Sequence, residues 1–186
     1  MTSWMLWMPV LGLMTGSRSM TPMAVVCWFA YLGDLPVHDT WAFWTGKLAA
    51  VIVFTLLAMG EYVADKLPQT PNRTALGPLL VRLTFGGVVG AVVATGLRVP
   101  GLDGVLLGVL GALVGTYGGY FARKYTVRWT GLPDWNVAVI EDALTILVSV
   151  AALGVGAVGA VALRSVGRRS ARSFATSSMR AFKTGL

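Results

Sequence analysis

The run 143–163 contains no charged side chain, and neither does 104–122. About 20 helical residues cross ~30 Å of hydrocarbon, so each run is long enough to span a bilayer as one helix. Three further segments, about 4–32, 41–64 and 78–98, share this apolar character, as do the full fourth and fifth segments, 104–124 and 136–163. In lipid a segment must satisfy its backbone hydrogen bonds internally, which favours helix over an open strand. The expected fold is therefore all-α: a polytopic membrane bundle of about five transmembrane helices over 1–163, followed by a basic tail over 164–186. Composition agrees, with 12% charged residues and a mean hydropathy of +0.70; soluble domains use roughly 25% charged residues.

Tryptophans sit at the expected segment ends. Trp4, Trp7 and Trp28 flank the first, Trp41 and Trp44 open the second, and Trp129 and Trp135 bracket the loop before the fifth. The headgroup level suits their apolar ring and N–H donor. No Lys or Arg precedes Arg18, so the first segment lacks the basic start of a signal peptide and is expected to be retained. Cys27 and His38 each occur once. That excludes an internal disulfide and a cysteine metal cluster, and no cofactor is implied.

The net charge is +7, but the basic residues lie in loops and tail. The partners expected are therefore anionic lipid headgroups, not nucleic acid. The tail, with Arg164, Arg168, Arg169, Arg172, Arg180 and Lys183 and no acid, reads either as a basic helix on anionic lipid or as an unstructured topology signal. With five crossings, the N-terminus and the loops after the second and fourth segments share one face. The Lys and Arg balance favours a cytoplasmic tail in a bacterial inner membrane.

The stretch GLMTGSRSMTP (12–22) breaks the apolar pattern. A cation at the centre of a lipid-facing helix costs ~2.5–3.5 kcal/mol on insertion scales, so Arg18 should face other helices. Gly16, Ser17, Ser19 and Pro22 weaken helix continuity. Freed backbone N–H groups beside an arginine can hold an anion. The alternative is an arginine paired permanently with Glu61 or Asp65. Those two acids are four residues apart and project from one helical face, with Lys66, Arg73 and Arg82 following. Tyr117 and Tyr120 precede Arg123, and Glu141 and Asp142 lie inside the fifth segment, where acids are functional candidates. LGLMTGSRSM (11–20) also resembles LGALVGTYGG (110–119). Three crossings would separate the two, so they would form an inverted repeat with Gly-interrupted helices, as in many secondary transporters. The Gly104, Gly108, Gly111 and Gly115 stripe could pack within one chain or in a homo-oligomer.

The pieces Gly16-x-Arg18-x-x-x-Pro22, Gly60-Glu61-x-x-x-Asp65-Lys66-x-Pro68 and Glu141-Asp142 resemble the bacterial membrane proteins of the domain of unknown function 4126 family. The likeness spans the chain up to about residue 160. It implies a multi-pass helical protein and supplies no reaction.

Three functions fit these residues. One is a small transporter or lipid- or anion-translocating protein, with Arg18, Ser17 and Ser19 at the substrate and the acids as coupling groups. Another is a structural or assembly subunit whose charges pair. The third is a membrane-embedded enzyme acting on lipid phosphate, although no nucleophile motif such as G-x-S-x-G or H-E-x-x-H occurs.

Overall fold

The computed structural model describes residues 4–65, 74–131 and 133–155, and among them every regular element is a helix. The order is α1 (Trp4–Ser17), α2 (Met20–Leu32), a 3-10 helix (Trp41–Gly46), α3 (Leu48–Ala64), α4 (Leu76–Leu97) and α5 (Gly101–Thr130), then α6 (Asp134–Val155). Helices α4, α5 and α6 are each long and apolar enough to cross a membrane. Helices α1, α2 and α3 are apolar but shorter, at 14, 13 and 17 residues. The architecture is that of a helical membrane bundle. The 164–186 tail lies outside the described residues.

Residue pairs fix the directions. Gly12 faces Gly108, and Gly16 faces Ala112 and Thr116, so α1 and α5 run the same way. Gly86 faces Gly108 and Gly90 faces Gly104, so α4 runs against α5. Thr21 and Tyr62 share a 2.7 Å hydroxyl hydrogen bond, and Trp28 Nε1 donates to Thr55 Oγ1 at 3.2 Å; α2 therefore runs against α3. Trp41 Nε1 donates to Thr95 Oγ1 at 3.0 Å, which places the start of α3 beside the end of α4.

These directions change the reading of the first segment. It is not one crossing from 4 to 32. Helix α1 runs to Arg18, and α2 runs back, so the pair forms a re-entrant hairpin with Arg18 at its tip. At 1.5 Å per residue the arms are only about 21 and 20 Å long, short of a full crossing. The start of α1 therefore lies on the face of loops 33–40 and 98–100. Five full crossings would place it on the opposite face, with the loops after the second and fourth segments. A straight helix would have left Arg18 in its middle; the break lets both arms dock on the bundle and carries the cation inside.

Lipid tails supply no hydrophobic drive between helices, so close backbone packing has to hold them together. The two similar stretches do this. Leu-Gly-x-x-x-Gly of α1 lies alongside Leu-Gly-x-x-x-Gly of α5, with Gly111 against Pro9 and Gly12, and Gly115 against Leu13. They form a parallel pair of small-residue faces, not the inverted repeat expected of them. The other side of the α5 stripe, Gly104 and Gly108, receives Gly90 and Gly86 of α4. Both stripes are thus used within one chain. Beyond them, Met8, Leu11, Met23, Val26, Val89 and Val92 form a core shared by α1, α2 and α4.

Candidate functional site: the hairpin tip

Breaking a helix exposes carbonyls at the end of one half and N–H groups at the start of the next. Here charged side chains from other helices satisfy both sets. Arg82 of α4 donates through Nη1 to Gly16 O at 2.7 Å and to Ser17 O at 2.8 Å. Thr116 adds a 3.3 Å hydrogen bond to Gly16 O. Glu61 of α3 accepts from Ser19 N–H at 2.8 Å and Met20 N–H at 2.9 Å. Ser19 makes no side-chain cap of its own. Cation at the carbonyl end and anion at the N–H end each complement the local helix dipole. Glu61 and Arg82 approach to 4.0 Å.

Arg18 lies between these two caps and is 0% exposed. Its Nη1 is 2.7 Å from Asp65 at the end of α3, and its Nη2 is 2.5 Å from Asp142 of α6. The guanidinium carbon sits 5.6 Å from the ring centre of Tyr62, a cation–π distance. The contacts are short but poorly aligned. None of the three guanidinium nitrogens makes a hydrogen bond of normal geometry, and Nε meets no acceptor among the described residues.

A second guanidinium lies nearer the end of the bundle. Arg123 of α5 donates to Asp134 through Nε at 2.8 Å and Nη2 at 2.5 Å. Its Nη1 contacts Asp65 at 3.2 Å and lies 3.8 Å from Glu141. Asp65 thus bridges the two arginines. Acids from α3 and α6 and arginines from the hairpin, α4 and α5 form one lattice at one end of the bundle.

Not every candidate takes the place the sequence offered. Glu61 is not the partner of Arg18; it is drawn to the α2 backbone, where two N–H groups outbid a second cation. Tyr117 is exposed, and Tyr120 packs against Phe121 and Lys124. Among the described residues neither tyrosine hydroxyl is hydrogen-bonded to an arginine of the lattice, and the face of α5 that meets α1 is its glycine stripe. Lys66 and Arg73 lie outside the described residues. Sequence reasoning missed Tyr62, Thr116 and the pairing of Asp134. Tyr62 adjoins Glu61 in the chain, and its ring could have been suspected; Thr116 is the residue matched to Ser17 in the repeated stretch. Among the described residues, no three His, Cys, Asp or Glu side chains converge as a metal cage.

Comparison with curated proteins and with solved structures gives no match. The family model for a domain of unknown function, DUF4126, matches residues 6–167. It covers both arms of the hairpin and every arginine and carboxylate of the lattice, and the chain belongs to the DUF4126 family.

Proposed function

We propose that the protein is a multi-pass protein of the bacterial cytoplasmic membrane that translocates an anion or an anionic lipid, with Arg18 as the anchor. The observation that carries this reading is a fully buried guanidinium at the tip of a broken hairpin, held by carboxylates that have other places to go. Asp65 already contacts Arg123 at 3.2 Å, so it can leave Arg18 without being stranded as a buried charge. A substrate phosphate or carboxylate would then take the vacated side of Arg18, as a charge-assisted pair. The unpartnered Nε–H supports spare donor capacity at that point. Ser17 and Ser19 flank the anchor, and Asp142, Glu141 and Asp65 are the groups that would exchange protons or cations as the substrate passes.

One observation favours a structural reading. Arg82 and Glu61 occupy the half-helix ends where a transporter often receives its ligand, so the caps belong to the fold. A liposome assay separates the two readings. Reconstituted wild type should move a fluorescent anionic phospholipid or an organic anion across the bilayer. Arg18→Lys keeps the charge but loses the planar fork, and should cut the rate at least tenfold with the fold intact. If the charge-free variant Arg18→Met/Asp142→Asn folds and transports as wild type does, the anchor role is refuted. If wild type moves neither probe, the structural reading stands.

A further inference from the structure

A groove of about 410 Å³ runs between α1, α5 and α6, within the ~300–1,000 Å³ range of small-molecule sites. Its two ends differ in chemistry. One end is walled by Leu13, Val114 and Leu144, and the other carries Ser17, Arg123 and Glu141. The polar end lies toward the close of α1 and α5, where Asp134 also reaches Arg123. The floor includes Gly118, where an added Cβ would meet nothing within 4 Å. A narrow apolar trough with a guanidinium at one mouth matches an amphiphile with one anionic group.

We infer that this groove holds a phospholipid, with one acyl chain along Leu13, Val114 and Leu144 and its phosphate on Arg123 in place of Asp134. The inference rests on the membrane reading above and names a lipid phosphate as the class of ligand that reaches the arginine lattice. The Asp134 carboxylate is 63% exposed while the Arg123 side chain is 15% exposed, so the forked pair opens to the outside on the carboxylate's side, where an incoming acceptor can compete for it. A phosphodiester offers the same two acceptors to the guanidinium fork. Arg123 meanwhile stays anchored through Asp65. The exchange therefore needs no rearrangement of the buried lattice, and it brings the headgroup to the helix ends beside Arg18.

The test is equilibrium binding to the full chain in detergent, read by native mass spectrometry. Phosphatidylglycerol is compared with diacylglycerol of the same chains. Wild type should hold one phosphatidylglycerol, with diacylglycerol at least tenfold weaker. Gly118→Phe starts from a Cβ in open space and puts its ring in the trough; it should weaken phosphatidylglycerol at least tenfold with the protein still folded, as Gly118→Ala, which leaves the trough open, should not. Asp134→Asn removes the competing carboxylate and should tighten it severalfold, which a purely structural Asp134 would not do. Equal binding by Gly118→Phe overturns the groove. Equal binding of diacylglycerol, or no gain in Asp134→Asn, overturns the phosphate assignment. Either failure with Arg18-dependent flux intact refutes this site alone; binding as expected with no flux refutes only the transport reading.

Discussion

Replacing Arg18 by methionine tests the hairpin tip most directly. The change removes a cation that is 0% exposed and leaves its two acids behind. Breaking a buried pair by deleting one partner costs roughly 3–5 kcal/mol, because the remaining charge has lost its compensation. Asp65 retains Arg123 at 3.2 Å, which puts the expected loss at the low end of that range, ~3 kcal/mol. For a chain of this size, 1 kcal/mol shifts Tm by roughly 2–4 °C, which gives a fall of about 6–12 °C. Cys27 is the sole cysteine and is buried in α2, so a thiol-reactive fluorophore reports unfolding without any introduced cysteine. Adding Asp142→Asn should return part of the loss, since it removes one of the two charges that Arg18 contacts. Coupling between contacting residues runs to about 0.5–3 kcal/mol, and this pair should reach the upper part of that range. An Arg18→Met protein that melts within 2 °C of wild type (about 1 kcal/mol), or losses that simply add, would show that the two charges do not hold each other.

Other outcomes follow from the same geometry. Glu61→Ala should lower stability by about 1–3 kcal/mol, since two half-buried N–H groups lose their acceptor at about 1–3 kcal/mol each with partial recovery by solvent; faster labelling of Cys27 would show it, and unchanged labelling would sink the cap. Gly90→Val and Gly108→Val should each destabilise by at least ~1–3 kcal/mol through overpacking, because their Cβ atoms would press on the facing backbone of Gly104 and Gly86. Gly118→Ala, with open space around it, should be neutral or gain up to ~1 kcal/mol of helix propensity; a melting series in one detergent ranks the three. Single cysteines at Trp4 and Asp34, placed in a Cys27→Ser background, should react with an impermeant maleimide from the same side of the membrane, and one at Thr130 from the other. Labelling of positions 4 and 34 from opposite sides contradicts the hairpin.

The apolar runs by themselves determined that the chain is helical and which stretches carry its helices, though not that the first stretch holds two. Length and the absence of charge decide that locally, because a backbone in lipid must bond to itself. The same local logic placed a break at Ser17-Arg18-Ser19 and required Arg18 to face inward, since no lipid-facing position tolerates it cheaply. What the sequence could not decide was direction across that break. The residues around Arg18 mark an interruption without saying whether the chain continues or turns back, and in the structure α1 docks on α5, glycine to glycine, with the chain turned. Partner choice was likewise undecidable. Asp65, Glu61, Glu141 and Asp142 all lay within reach on helical spacing, and only the three-dimensional arrangement sends Glu61 to the α2 backbone and leaves Asp65 and Asp142 to Arg18. The repeated Leu-Gly-x-x-x-Gly stretch carries the same lesson. One strip of small residues serves an inverted pair or a parallel one equally well, and its meaning is fixed by the surface that meets it.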